Sequence, residues 1–202
     1  MTVVAPPAVV SAPVPDAVLA RIRPDVRAMH AYHVQPAAGM VKLDAMENPF
    51  PLPQPLQLAL GARLGALALN RYPGERTQLL QERLLAYAQA PQGAAIVLGN
   101  GSDELISLIA LACAQPGAKV LAPLPGFVMY GMSAQLQGLE FVGVDLTPDF
   151  DLDVPAMCAA IAAQRPAITY LAYPNNPTAT LWTVDKVQAV IEIGRASCRE
   201  RV

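Results

Sequence analysis

From residue 94 onwards, short apolar runs alternate with stretches whose apolar residues recur at helical spacing. The apolar runs cover residues 95–98, 118–122, 139–144 and 167–172, and the helical stretches cover 103–114, 127–137, 154–164 and 183–193. Runs this short and continuously apolar are typical of strands buried on both faces of a parallel sheet. The alternation therefore predicts βαβ units, that is, an α/β fold with a mainly parallel sheet and helices on both faces.

The residues before this region predict an irregular arm followed by helices. Four prolines within residues 1–15 leave no room for a helix, so this segment is expected to be a mobile arm. The elements predicted next are a short helix at 16–22 that ends at Pro24, a short strand at 41–44, and helices at 55–69 and 77–89. We accordingly divide the chain into an N-terminal arm with a short helix (1–40), a large domain (41–193) and a tail (194–202).

Charge and composition exclude several classes of function. The chain has 202 residues, of which 53% are hydrophobic, and its 14 Lys and Arg are balanced by 16 Asp and Glu, so nothing favours nucleic-acid binding. No apolar run reaches the length of about 18 residues that a membrane helix requires. Three widely spaced cysteines without a CxxC motif favour a reduced, cytoplasmic protein, and no metal-ligand pattern is present.

A glycine-containing turn at 99–105 joins the first apolar run to the first helical stretch. Ser102 is predicted to be the N-cap of the helix, which would direct its first N–H groups into the turn. Free N–H groups and the helix dipole both favour a bound anion. The alternative is that Ser102, Asp103 and Glu104 only cap the helix.

Two further loops follow predicted strands and should lie at the same edge of the sheet. In the first, residues 123–130, Phe127 follows Pro-Gly and could present a flat ring to a ligand; the alternative is a phenylalanine that fills the core. In the second, Pro-Asn-Asn-Pro-Thr at 174–178 could aim an amide donor at an oxygen in the cleft, and the alternative is an ordinary Asn-Pro turn.

Taken together, the three loops resemble the fold type I, pyridoxal-phosphate-dependent aminotransferases of class I and II, and among them the histidinol-phosphate aminotransferases. The motifs that carry the resemblance are Asn-Gly-Ser-Asp-Glu-Leu-Ile at 100–106, Pro-Gly-Phe at 125–127, Pro-Asn-Asn-Pro-Thr at 174–178, Glu-Asn-Pro at 47–49 and Arg-Tyr-Pro at 71–73. The resemblance implies an incomplete fold type I large domain, pyridoxal 5'-phosphate as cofactor and a cytoplasmic homodimer. It also implies small-molecule substrates, with amino transfer between histidinol phosphate or imidazole-acetol phosphate and glutamate or 2-oxoglutarate in histidine biosynthesis.

The resemblance also implies a role for individual residues. The implied cofactor contacts are Gly101, Ser102 and Asp103 to the phosphate, Phe127 stacked on the pyridine ring, Asn176 donating to the phenolic oxygen, and Tyr72 reaching the phosphate of a neighbouring subunit. The implied substrate contacts are Tyr32 and Asn48. Ala179 departs from the family pattern, which usually has glycine there, and alanine tolerates a positive φ poorly.

No lysine of this sequence stands where the resemblance implies the Schiff-base lysine. Lys42 lies among turn residues, Lys119 begins a strand at the edge opposite the three loops, and Lys186 is on a late helix. We therefore expect an N-terminal fragment without transaminase activity of its own, and Gly194 is expected to end its last helix before a foreign tail. The alternatives are another fold type I enzyme, such as an aromatic aminotransferase or a threonine-phosphate decarboxylase, and a non-catalytic phosphate-binding module.

Overall fold

The computed structural model describes residues 14–30, 36–42, 47–73 and 76–199, with side chains excluded at 76 and 194–199. The helices in these ranges are α1 (Asp16–Leu19), α2 (Pro24–Arg27), α3 (Gln54–Gly65), α4 (Arg76–Tyr87), α5 (Ser102–Ala112), α6 (Val128–Gln137), α7 (Val154–Gln164) and α8 (Val184–Arg199). The strands are β1 (Lys119–Leu124), β2 (Glu140–Asp145) and β3 (Ile168–Thr169). The chain forms two compact units, His30–Leu98 and the remainder.

The three strands form one parallel sheet in the order β2-β1-β3. Val120 of β1 is in register with Phe141 of β2 on one side and with Ile168 of β3 on the other. Parallel neighbours require crossover connections, and the helices α6 and α7 lie between the strands along the chain. The predicted parallel α/β architecture is confirmed.

Helices cover both faces of this sheet, as predicted. Neighbouring residues of a strand point to opposite faces, and Val120 and Leu121 are both fully buried. The residues packed around Val120 are Ala110 of α5, Ala134 of α6 and Leu139, whereas those around Leu121 are Leu152, Met157 and Ile161 of α7, Trp182, and Val190 of α8. Each face of the central strand therefore has its own apolar cluster.

Hydrogen bonds attach the N-terminal helix α2 to the end of α6, and two of them come from Arg23. The guanidinium of Arg23 donates to the carbonyl oxygens of Gln135 at 2.7 Å and Leu136 at 3.0 Å. These carbonyls belong to the last turn of α6, where a helix lacks internal donors and favours a positive charge. Pro24 begins α2 at a position that needs no N–H group. The short helix predicted before Pro24 is present as α1, whereas α2 itself was not predicted.

The predicted strand at 95–98 is wrong, because the structure assigns no strand there. Val97 is 70% exposed, and the side-chain amide of Gln81 donates to the carbonyl of Ile96 at 3.2 Å. A strand is stabilised by a hydrogen-bonded neighbour, and no described segment pairs with this run. The predicted strand at 167–172 is shortened to Ile168–Thr169.

The remaining helix boundaries agree with the predicted ones to within a few residues, except at the end of α8. That helix continues through residue 194 to Arg199, so Gly194 does not end it. Part of the predicted strand at 41–44 lies outside the described residues. Among the described helices, none combines the length and the apolar character that a membrane crossing needs.

Candidate functional site

The three loops singled out in the sequence belong to the same compact unit, and two hydrogen bonds connect their surroundings. The side-chain amide of Asn175, in the loop after β3, donates to the carbonyl of Pro125, in the loop after β1, at 3.1 Å. The hydroxyl of Tyr170 donates to the carbonyl of Ile106 in the first half of α5 at 3.4 Å. Because β1 and β3 are parallel neighbours, both of their loops leave the sheet at the same edge.

The turn at 99–105 has Gly101, not Ser102, as the N-cap of α5. Gly101 adopts φ 83° and ψ 178°, a conformation that favours glycine because a side chain is strained there. Ser102 is the first residue of the helix, and no side chain caps its N-terminus. The prediction that Ser102 is the N-cap is therefore wrong, and the first-turn N–H groups lack acceptors within the helix.

The two acidic residues of this turn, Glu104 and Asp103, have different hydrogen-bond partners. The carboxylate of Glu104 folds back and accepts from both the backbone N–H and the side-chain amide of Asn100, the latter at 3.2 Å. These two hydrogen bonds stabilise the turn. Asp103 is exposed, and its carboxylate accepts a long hydrogen bond of 3.5 Å from the hydroxyl of Ser102.

Phe127 stands at the end of a tight corner between β1 and α6. A Cβ atom on Gly126 would lie 2.4 Å from the carbonyl oxygen of Pro123, so only glycine fits this corner. The ring of Phe127 is half-buried and belongs to neither apolar cluster of the sheet, which argues against the core-filling alternative. It packs edge-to-face against Tyr130, with ring centroids 5.6 Å apart.

Tyr130 in turn stacks on Tyr170, with centroids 4.3 Å apart and an angle of 3° between the planes. Burial raises the pKa of both phenols above the ordinary value, and their proximity raises that of Tyr170 further. Both hydroxyls therefore stay protonated at neutral pH. The stacked pair contacts Phe127 through Tyr130.

The two consecutive asparagines of the second loop have different environments. Asn175 is 3% exposed, and its amide nitrogen donates to Thr178 Oγ1 at 2.9 Å as well as to Pro125. Asn176 is half-buried, and within the described part of the chain its side chain makes no hydrogen bond. Asn176 is thus the one of the two whose amide remains available to a ligand.

The same loop contains a strained backbone position and a link to the core. Ala179 adopts φ 57°, in the left-handed region that disfavours alanine. Nearby, the hydroxyl of Tyr173 donates to the carbonyl of Trp182 at 3.1 Å, and the indole of Trp182 donates to the carbonyl of Phe150 at 3.1 Å. The loop therefore rests on the buried tryptophan of the sheet core.

All three lysines of the sequence form ion pairs. Lys119 Nζ lies 3.2 Å from a carboxylate oxygen of Glu140 at the start of β1, the sheet edge opposite the three loops. Lys186 pairs with Asp151, and the ammonium group lowers the pKa of that carboxyl.

In the other compact unit, Lys42 Nζ lies 3.7 Å from a carboxylate oxygen of Glu47. The side-chain oxygen of Asn48 accepts from the backbone N–H of Phe50 at 3.0 Å, and Tyr72 is 99% exposed. The predicted substrate residue Tyr32 lies outside the described residues. No group of three or more metal-binding side chains occurs in the described ranges.

Sequence reasoning missed the residues that support the site. Asn175 was recognisable only as one of two equivalent amides, and nothing in the sequence distinguishes the buried one. Tyr130 and Tyr170 are 40 positions apart, so their stacking has no local sequence signal. The helix period that places Tyr130 near Phe127 was the one available indication of this support.

The chain is similar in sequence to a known family and to individual proteins. The sequence profile of the family "Aminotransferase class I and II" matches residues 39–198. The histidinol-phosphate aminotransferase of Paracidovorax citrulli (strain AAC00-1) is 69% identical over 184 residues, covering 89% of this chain and 50% of that protein. The corresponding protein of Acidovorax sp. (strain JS42) is 69% identical over 178 residues, covering 88% of this chain and 48% of that protein.

A solved structure shares the fold. The crystal structure of histidinol-phosphate aminotransferase from Sinorhizobium meliloti in complex with pyridoxal-5'-phosphate superimposes with a TM-score of 0.68 at 23% identity, covering 86% of this chain and 48% of that one. The chain spans about half the length of the curated relatives it matches. The profile match over residues 39–198 shows that the chain belongs to the aminotransferase class I and II family.

Proposed function

We propose that the three loops form part of a pyridoxal 5'-phosphate site in a histidinol-phosphate aminotransferase. The reaction would exchange an amino group between histidinol phosphate or imidazole-acetol phosphate and glutamate or 2-oxoglutarate, in histidine biosynthesis. The observation that carries the proposal is the hydrogen bond from Asn175 to Pro125, which joins the loop of Phe127 to the loop of Asn176 at one sheet edge. The names of the two curated relatives support the choice of substrate.

The N-terminus of α5 suits the cofactor phosphate. Gly101 carries no side chain in front of the helix, and the first-turn N–H groups of Ser102 and Asp103 have no acceptor within the helix. Such groups, together with the helix dipole, stabilise a phosphate dianion. Glu104 accepts from Asn100 and not from the N–H groups of Ser102 or Asp103, so it leaves those donors to the phosphate.

Two side chains suit the pyridine ring. The half-buried ring of Phe127 offers a flat apolar surface, and its edge-to-face contact with Tyr130 restricts the orientation of the ring. The amide of Asn176 has no partner among the described residues and can donate to a phenolic oxygen. When bound, pyridoxal phosphate supplies the electron sink for amino transfer, and these residues would hold its plane and orientation.

The remaining assignments concern the assembled enzyme, which we propose to be a cytoplasmic homodimer that acts on small molecules. Tyr72 is almost fully exposed in this chain, as a residue that contacts the phosphate of a neighbouring subunit would be in an isolated subunit. Asn48 and Tyr32 are proposed to lie on the substrate side. Nothing in this assignment involves a nucleic acid or a membrane.

This chain alone is proposed to lack transaminase activity. Amino transfer in this family needs a lysine next to the cofactor, and each lysine present is paired with a carboxylate, at Glu47, Glu140 or Asp151. Purified chain mixed with glutamate and imidazole-acetol phosphate should therefore yield no 2-oxoglutarate above a blank. Turnover that disappears on mutation of one of these lysines would contradict this proposal.

The cofactor site itself is tested by binding. Pyridoxamine 5'-phosphate contains the ring and the phosphate but cannot form a Schiff base with a lysine, so it reports the non-covalent contacts alone. The purified chain should bind it more tightly than it binds either inorganic phosphate or pyridoxamine, as measured by equilibrium dialysis. Equal affinity for all three compounds would refute the proposed site.

A further inference from the structure

The strongest unexplained feature of the site is a buried amide. Among the described residues only two polar side chains are buried, Ser133 at 0% and Asn175 at 3% exposure. Ser133 lies between two helices, where its hydroxyl meets that of Ser107 at 3.2 Å. Asn175 instead lies in a loop at the sheet edge, where a polar side chain could equally well have faced water.

Every N–H group of Asn175 donates to a residue of the two loops at this sheet edge. An amide group has two N–H donors, and these go to Pro125 O at 3.1 Å and Thr178 Oγ1 at 2.9 Å. Its backbone N–H donates to Thr180 O at 2.9 Å, and its own carbonyl accepts from Ala179 N at 2.8 Å. The side chain therefore closes its own loop and joins that loop to the neighbouring one.

The sheet does not supply this connection. The pairing of β3 with β1 covers Ile168 and Thr169, and the last backbone hydrogen bond between the two segments runs from Tyr170 N to Leu121 O at 2.9 Å. Beyond Tyr170, no backbone hydrogen bond in the described chain joins the segment to β1 or its loop. The amide of Asn175 is thus the polar connection that fixes the distance between the two loops.

We infer that Asn175 is a positioning residue for the cofactor ring, an inference that rests on the proposed function. Pro125 stands two residues before Phe127, and Asn176 follows Asn175 directly, so one side chain sets the spacing of the two groups proposed to contact the ring. The phosphate-binding turn is not among its partners. Loss of Asn175 should therefore weaken recognition of the ring and leave recognition of the phosphate unchanged.

The test compares two ligands on the same 202-residue chain, pyridoxamine 5'-phosphate and inorganic phosphate, by equilibrium dialysis. Asn175→Ala removes both donors without adding charge, and Asn70→Ala, at an exposed turn position in the other compact unit, is the matched control. Thr178→Val and Thr178→Ser form a milder pair, because serine keeps the Oγ acceptor that valine removes. Circular dichroism verifies the fold of every variant.

We expect Asn175→Ala to weaken pyridoxamine phosphate binding by about tenfold or more while phosphate binding changes by less than about twofold. Thr178→Val should show a smaller loss of the same kind, and Thr178→Ser and Asn70→Ala none. If Asn175→Ala fails to fold, the Thr178 pair decides: equal ring affinity of valine and serine variants overturns the inference. Parallel losses for both ligands also overturn it, because they indicate general damage.

A different experimental result would refute the proposed function. A wild-type chain that binds pyridoxamine phosphate no better than inorganic phosphate would refute the cofactor site before any variant is made. Preserved wild-type discrimination with unchanged discrimination in Asn175→Ala would refute only the role of Asn175.

Discussion

Replacement of Ala179 by glycine should stabilise the protein. Ala179 has φ 57°, and a non-glycine residue in this left-handed conformation costs about 1–2 kcal/mol. Its methyl group is exposed, so its removal sacrifices little apolar burial. Glycine also makes the unfolded chain more flexible, which offsets about 0.4–1 kcal/mol of the gain.

The net expectation for Ala179→Gly is an increase of about 0.5–1 kcal/mol in the free energy of unfolding. For a chain of this size that corresponds to a rise in Tm of about 1–4 °C. The measurement is urea denaturation followed by circular dichroism, with a thermal melt as a second readout.

The matched control is the same chemical change in a regular helix. Ala159 is exposed in the middle of α7, and Ala159→Gly should lower the free energy of unfolding by about 1 kcal/mol. The two substitutions are thus expected to act in opposite directions. If Ala179→Gly destabilises the protein as much as Ala159→Gly does, the reasoning from backbone strain is refuted.

Three further outcomes are expected. Gly126→Ala should destabilise the fold by about 1–3 kcal/mol, because its Cβ would lie 2.4 Å from Pro123 O; an unchanged urea midpoint would show that the corner can relax. Phe127→Leu should weaken pyridoxamine phosphate binding about two- to tenfold, by loss of the aromatic contact, and unchanged affinity in dialysis would remove this ring from the site. The ion pair with Lys186 lowers the pKa of Asp151, so its stabilisation is fully present above the ordinary carboxyl pKa of about 3.9 and disappears as pH falls through the lower folded value. Urea midpoints of the wild type and Asp151→Asn should therefore differ at pH 6 and converge near pH 2–3, and a constant difference would contradict the assignment.

The sequence sufficed to predict those elements whose pattern is local. The predicted helix at 154–164 has the bounds of α7 in the structure. Its start is fixed locally, because the Asp153 side chain accepts from Ala156 N and Pro155 sits in the first turn. The parallel sheet was predictable because continuous apolar runs need cover on both faces.

Features that depend on distant partners were not predictable in this way. The apolar run at 95–98 has the composition of a strand, but whether it pairs depends on a neighbour that no local pattern specifies. The N-cap was missed for a different, local reason: Gly101 adopts φ 83°, which suits glycine, and a choice between adjacent residues cannot be made from the sequence pattern alone. Which asparagine is buried depends on the carbonyl of Pro125, 50 residues away.

Trp182 has a practical consequence for spectroscopy. It is the only tryptophan of the sequence, it is 2% exposed, and its carbonyl holds the hydroxyl of Tyr173 at the start of the asparagine loop. Its fluorescence therefore comes from a single known position, shielded from water and directly connected to the candidate site. Vitamin B6 phosphates absorb in the region where indole emits, so ligand occupancy can be followed by quenching without any attached label.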